Sequence, residues 1–149
     1  FILIDCPAGI EQGFKTAIAA ADTAIVVTMP EISAVRDADK IIGELSRADK
    51  EDIKLIVNRI RPQMVESGDM LDMNDINDIL SIECIGQVPD DEMVVTSTNK
   101  GEPCITMEHS LAGQAYRNIV GRICGEDIPF MEFPKEGFFQ RLKRRVFGA

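Results

Sequence analysis

The sequence predicts an α/β fold of three layers, a mainly parallel sheet flanked by helices on both faces. Three observations carry that expectation. Short apolar runs alternate with helical stretches along the chain, as right-handed βαβ units require. Each run is apolar almost throughout rather than at every second residue, the pattern of strands covered on both faces. Three of the four runs also end within two residues in polar groups, at Asp5, at Asn58-Arg59 and at Asp90-Asp91. In a parallel sheet these ends share one edge, and open α/β sheets bind ligands just outside it.

The first run, Phe1-Ile2-Leu3-Ile4, leads into Asp5 and then into Cys6-Pro7-Ala8-Gly9. It reads as a buried strand that closes on a carboxylate, followed by a turn. Asp5 stands where a nucleotide-bound Mg²⁺ is held, and Pro7, Ala8 and Gly9 are placed to sense a phosphate. The structural alternative for Asp5 is a cap on the next helix. Gly13 to Ala21 is rich in Ala and helical by propensity. Ala24 to Thr28 is the second strand, stopped at Met29-Pro30. Ser33 is the expected N-cap of an amphipathic helix over 34–47, with Val35, Ala38, Ile41, Ile42 and Leu45 on its inner face.

Ile53 to Val57 is the third strand, and residues 62–73 read as an irregular connection with Gly68 in a turn. A short helix over 74–80 precedes the fourth strand, Cys84 to Val88, which closes at Pro89-Asp90-Asp91. Residues 92–99 read as helix, Lys100-Gly101-Glu102-Pro103 as a break, and Ser110 as the cap of a last helix reaching Cys124. The domain organisation expected is a nucleotide-binding α/β unit over 1–124, a linker over 125–134 containing Gly125, Pro129 and Pro134, and a terminal amphipathic helix over 135–149.

At 149 residues and 45% hydrophobic, the chain is long enough to form one globular domain or a large part of one. No apolar run approaches the roughly 18 residues of a membrane-spanning helix. The four cysteines, Cys6, Cys84, Cys104 and Cys124, form no C-x-x-C pair and lie in apolar segments, so they are expected to be reduced and buried. His109 is the only histidine and receives no role. Met64, Met70, Met73, Met93 and Met107 read as core filler. The net charge of −9 is uneven: residues 135–149 carry five basic side chains against one acidic, +4, which leaves −13 on residues 1–134. An acidic body argues against nucleic-acid binding, and a basic tail points to a local anionic partner.

The tail segment Gly137 to Phe147 shows its own pattern. At about 100° per residue, Phe138, Phe139, Leu142 and Val146 fall within an arc of about 100°. Arg141, Lys143, Arg144 and Arg145 occupy the rest of the circumference, and Phe147 lies off the arc near the end. Too short to span a bilayer, the segment reads as an interfacial anchor on an anionic membrane surface. Docking of a basic helix on an acidic protein or on nucleic acid is the alternative. Each Lys or Arg near an anionic leaflet contributes about 1 kcal/mol, and ordering the helix costs about 1–2 kcal/mol per residue. One tail therefore binds marginally, and two tails in a dimer bind far better.

The run Ile4-Asp5-Cys6-Pro7-Ala8-Gly9-Ile10-Glu11 resembles the Walker B and switch II region of the ParA/MinD group of P-loop ATPases. The segments Ser33-Ala34-Val35-Arg36-Asp37-Ala38-Asp39 and Ser67-Gly68-Asp69-Met70-Leu71 are similar to the same group. The resemblance covers nearly the whole chain but only the later part of such a protein. No Gly-Lys-Ser/Thr occurs in the 149 residues, so the phosphate-cradling loop is not expected here, nor is catalysis by this chain alone. The resemblance implies a P-loop NTPase-like fold, ATP and Mg²⁺ as ligands, and Asp5 acting on Mg²⁺ directly or through a water. It implies an adenine contact at Asn58, with Arg59, Pro89, Asp90 and Asp91 around it. The residues suit that role, because Asn both donates and accepts, and Arg can lie on a purine face. A plain turn at Asn58-Arg59 and a helix cap at Asp90-Asp91 remain the structural alternatives.

The resemblance further implies an ATP-dependent homodimer, attachment to the cytoplasmic face of the inner membrane, and septum positioning through recruitment of a division inhibitor. Arg36, Asp37 and Asp39 are the candidates for the surface met by a MinC-like inhibitor and a MinE-like regulator, against the alternative of a solvated helix face with local ion pairs. Two other functions stay in view. One is another ParA-group ATPase, for chromosome or plasmid partition or flagellar number. The other is a non-catalytic scaffold tethered to a membrane.

Overall fold

In a computed structural model, residues 1–7, 9 and 11–133 are described. The turn residue Ala8 and the whole of the expected anchor, including Phe138, Phe139, Arg141, Leu142, Lys143, Arg144, Arg145, Val146 and Phe147, lie outside the described residues. The elements follow the order α1 (Gln12–Ala20), β1 (Ala24–Thr28), α2 (Ile32–Arg47), β2 (Ile53–Ile60), α3 (Pro62–Ser67), α4 (Met73–Leu80), β3 (Glu83–Pro89), α5 (Glu92–Lys100) and α6 (Leu111–Ile123), with a 3-10 turn at Cys104–Thr106. The strands form a parallel sheet in the order β1-β2-β3.

The helices divide between the two faces by the two-residue period of the strands. Val26 of β1 and Ile53, Leu55 and Val57 of β2 pack with Phe14 of α1, Val35, Ala38 and Leu45 of α2, and Ile76 and Leu80 of α4. Ile56 of β2, with Ile85 and Val88 of β3, packs against Ala112, Ala115 and Ile119 of α6. Close approach of α6 depends on glycine. A Cβ on Gly86 would stand 2.5 Å from Ile119 Cδ1, and one on Gly113 would strike the Cys104 carbonyl.

Four sequence expectations need correction. Phe1–Ile4 is not a strand: Phe1, Ile2 and Leu3 are 97%, 92% and 87% exposed, and Asp5 is exposed with them. An apolar run becomes a buried strand only with a sheet neighbour and a covering layer, and the described residues supply neither there. For the same reason β1 is covered on one face only, with Ile25 and Val27 open on the other. The thiols of Cys6 and Cys124 are exposed, and only those of Cys84 and Cys104 are half-buried. The connection over 62–73 holds a helix, α3, started by Pro62 at its first turn and ended by Gly68 in the left-handed region at φ 78°. Smaller differences lie at caps. Glu31 rather than Ser33 precedes α2, and Asp72 forms a capping box with Asp75 at α4.

The stretch 125–133 contains no helix or strand and lies along the body. Arg122 of α6 holds it: Nε donates to the Ile128 carbonyl (2.9 Å), Nη2 to Pro129 (2.9 Å) and Nη1 to Ile85 of β3 (2.8 Å). The guanidinium also sits 4.3 Å from the centre of the Phe130 ring. Phe133 reaches the core cluster on the α1–α2–α4 side.

The packing of α6 on Gly86 is testable. Gly86→Ala is expected to lower the unfolding free energy by about 1–3 kcal/mol through overpacking, and adding Ile119→Val should restore part of it. Urea denaturation reads both. Equal stability of Gly86→Ala and wild type would contradict the close approach.

Candidate functional site

The C-terminal ends of β2 and β3 lie side by side, because parallel pairing carries Val57 to Gln87 and Ile60 to Pro89. Three steps along β2 match two along β3, so β2 holds an extra residue at Asn58-Arg59, a β-bulge. Arg59 adopts the left-handed region at φ 59°. A non-glycine residue held there costs roughly 1–3 kcal/mol, strain that concentrates at functional sites. The Arg59 amide donates to Asn58 Oδ1 at 3.0 Å. An amide N–H can only donate, so this contact fixes the orientation of the Asn58 side chain and leaves its NH₂ group for a ligand. Asn58 is half-buried and lines a broad groove of about 1240 Å³, together with Cys6, Pro7 and Gly9.

Beside the bulge, Asp90 joins two guanidiniums. Arg61 Nε donates to Asp90 Oδ2 at 2.6 Å, and Arg59 Nε lies 3.4 Å from Oδ1. The Arg61 contact, with Arg59 beside it, holds the Asp90 carboxyl below the usual carboxylate range. The Asp90 amide donates to the Ile60 carbonyl at 2.9 Å, closing the ladder past the bulge.

Asp91 faces inward. One carboxylate oxygen accepts from the Met93 amide (2.9 Å) and caps α5. The other accepts from the Ser110 hydroxyl (2.8 Å) and the Ala112 amide (3.0 Å) at the start of α6. Burial acts to raise this carboxyl, but the amides of Ala112 and Met93 and the Ser110 hydroxyl outweigh it and leave it below its ordinary value. Both oxygens are thereby committed, so Asp91 positions two helices rather than reaching a ligand. Pro89 is buried at the end of β3.

The structure therefore gathers Asn58, Arg59 and Asp90 on one rim, with Pro7 and Gly9 at the groove that Asn58 lines. Asp5 forms no hydrogen bond or ion pair with the described residues and does not line that groove. On α2, Asp37 and Asp39 border the groove, and Asp37 pairs with Lys40 at 2.8 Å; Arg36 is exposed nearby. Sequence reasoning missed Arg61. Its signal was the Asn-Arg-Ile-Arg spacing, which a bulge turns into two guanidiniums around one carboxylate. An exposed carboxylate such as Asp5 is a hard oxygen donor of the kind Mg²⁺ takes, and the NH₂ of Asn58, without a partner among the described residues, suits a ring-nitrogen acceptor.

No protein-family model matches the chain. The septum site-determining protein MinD of Synechocystis sp. is 50% identical over 152 aligned residues, which take in 100% of this chain and 57% of that protein. Over its full length the chain is similar to MinD proteins. Among solved structures, the MinC:MinD cell division protein complex of Aquifex aeolicus superposes with a TM-score of 0.83 at 46% identity, over 87% of this chain and 54% of that one. MinD of Pyrococcus horikoshii complexed with Mg-ADP gives 0.71 at 27% identity, over 86% and 54%. The parallel sheet with helices on both faces is thus that of the MinD/ParA P-loop NTPases. The chain spans a little over half the length of the MinD relatives it matches.

Two predictions come from the rim. Asp91→Ala removes one helix cap and two further hydrogen bonds, so a loss of about 2–3 kcal/mol in unfolding free energy is expected. A loss under 0.5 kcal/mol would contradict the double cap. The second prediction concerns pH. Asp90 and Asp91 have folded pKa values below their unfolded ones, so their contribution is fully present above the unfolded value of about 3.9 and is lost as pH falls through the folded values. Stability should fall below about pH 4, and less steeply in Asp91→Asn. An equally steep fall in that variant would remove Asp91 from the account.

Proposed function

We propose that this chain supplies the adenine-side half of a MinD-type ATPase, a protein that places the division septum by ATP-dependent dimerisation, membrane attachment and recruitment of a division inhibitor. The observation that carries the reading is the strained Asn58-Arg59 bulge beside Asp90, at the strand edge where α/β sheets bind nucleotides. In this reading the Asn58 NH₂ meets the adenine ring, and Arg59 covers it. Asp90 holds the Arg59 guanidinium, and Pro89 bounds the far side. Pro7, Ala8 and Gly9 form the switch near the γ-phosphate, and Asp5 takes Mg²⁺ or a water on it. Asp5 would hold the Mg²⁺, which would supply positive charge against the phosphates. The open apolar surfaces of Phe1–Ile4 and of Ile25 and Val27 are where the other half of such a domain would pack.

The Mg-ADP reported for the Pyrococcus protein and the MinC bound in the Aquifex complex support the choice of nucleotide, metal and inhibitor. Arg36, Asp37 and Asp39 on α2 remain the surface proposed for the inhibitor and for a MinE-like regulator. The tail over 138–147 is the proposed anchor on the cytoplasmic face of the inner membrane. No helix of the described residues is long and apolar enough to cross a membrane, so attachment in this reading rests on that tail. Its marginal single-copy affinity would make membrane residence follow dimerisation, and dimerisation follow ATP.

The test uses a protein extended upstream to carry a phosphate loop. Asp5→Ala should abolish ATP hydrolysis while circular dichroism stays unchanged. Asn58→Ala should raise KM for ATP about tenfold, the worth of one hydrogen bond of ~1.4 kcal/mol. Normal turnover in the first variant, or an unchanged KM in the second, would overturn the assignment. For the anchor, a tandem copy of residues 135–149 on a soluble reporter should sediment with anionic vesicles and be released by salt; no salt-sensitive sedimentation would exclude it.

A further inference from the structure

A second cavity, of about 650 Å³, lies between the end of β2 and the α3–α4 lobe. Val57 and Ile60 of β2, Val65 of α3, Leu71, and Ile76 of α4 give it apolar walls, and Glu66, Asp72 and Gln87 add polar groups to the lining. Phe133, the last described residue, is itself part of the lining, with Glu132 beside it. The strap over 125–133, held by Arg122, therefore delivers the rest of the chain to the mouth of this cavity.

Charge matches that placement. Residues 62–80, which build the lobe, carry Glu66, Asp69, Asp72, Asp75 and Asp78 and no Lys or Arg. The sixteen residues that follow Phe133 hold five basic side chains and only one acidic, and they bring Phe138, Phe139, Leu142 and Val146 on one helical arc. From Phe133 to Phe138 the chain spans at most ~17 Å when extended, so the first aromatic of the arc is within reach of the cavity that Phe133 lines.

We propose that the stretch Phe138–Phe147 docks on the α3–α4 lobe of its own chain, with its apolar arc in the cavity and its basic side chains against the lobe's carboxylates. The same arc and the same charges serve a lipid surface, so the lobe and an anionic membrane compete for one segment. A segment that is marginal on lipid as a single copy is held still weaker when a docked state of comparable energy must first be left. The competition rests on the anchor reading above; the docking does not. The cavity abuts the Ile60–Pro62 turn that follows the Asn58-Arg59 bulge, so docking also touches the element that shapes the rim.

The experiment is methyl NMR on the full 149-residue chain and on its Phe138→Ser/Phe139→Ser variant, without lipid. Val65 and Leu71 methyl signals should differ between the two, while Ala115 and Ile119 on the opposite face should not. Adding vesicles of phosphatidylcholine and phosphatidylglycerol to the unmodified chain should move the Val65 and Leu71 signals to the variant's positions. Identical Val65 and Leu71 signals in the two proteins would overturn the docking. So would a difference that disappears on tenfold dilution, since the tail would then belong to a second copy. Signals that stay in place while the chain sediments with vesicles would overturn the competition. Docking signals without any vesicle sedimentation would leave the docking standing and remove the anchor.

Discussion

The carboxylate of Asp91 is the constraint on which the arrangement of the rim depends. It sits directly after β3 and accepts from the Met93 amide, the Ser110 hydroxyl and the Ala112 amide. One side chain thereby ties the starts of α5 and α6 to the end of the strand. Helix N-termini carry amides without intrahelical partners and a partial positive charge, and a carboxylate answers both. Once Asp91 is fixed inward, its neighbour Asp90 is directed the other way, toward Arg61 and Arg59. The adjacent acids divide the work: one holds the fold, the other holds the rim.

The same division runs through β2. Ile53, Leu55 and Val57 face the α2 side and Ile56 faces α6, which demands strict alternation as far as Val57. The extra residue at Asn58-Arg59 then returns Ile60 to the core on the α2 side while Asn58 lines the groove. Backbone strain at Arg59 is tolerated because both flanks are fixed, Val57 by burial and Ile60 by its carbonyl, which accepts from the Asp90 amide. This is how a buried parallel strand presents polar groups at its tip without exposing its apolar ones.

Most of the fold was legible because hydrophobic period and helix signals agree along the chain. Ser110 caps α6 as its position before an apolar helix suggested, and β1, β2 and β3 lie on the continuous apolar runs, those of β2 and β3 ending in polar residues. The α3 helix was hidden because six residues starting at Pro62 show no full helical period, and its stop at Gly68 looked like a simple turn. Phe1–Ile4 misled for a different reason: composition reports that a segment suits burial, not that a partner is present to bury it. In the candidate site, the gathering of Asn58, Arg59 and Asp90 followed from parallel strand ends alone. The inward turn of Asp91 and the role of Arg61 did not, since both depend on hydrogen bonds 19 to 31 residues apart in sequence.

The central claim is that the Asn58-Arg59 bulge faces the base of a bound nucleotide. Photolabelling addresses it most directly. With the chain extended to carry a phosphate loop, 8-azido-ATP should attach within the peptide spanning Asn58 to Arg61, or in the facing Pro89–Asp90 segment, and excess ATP should suppress the labelling. Attachment confined to α4 or α6, with the rim peptides unlabelled, would contradict the account.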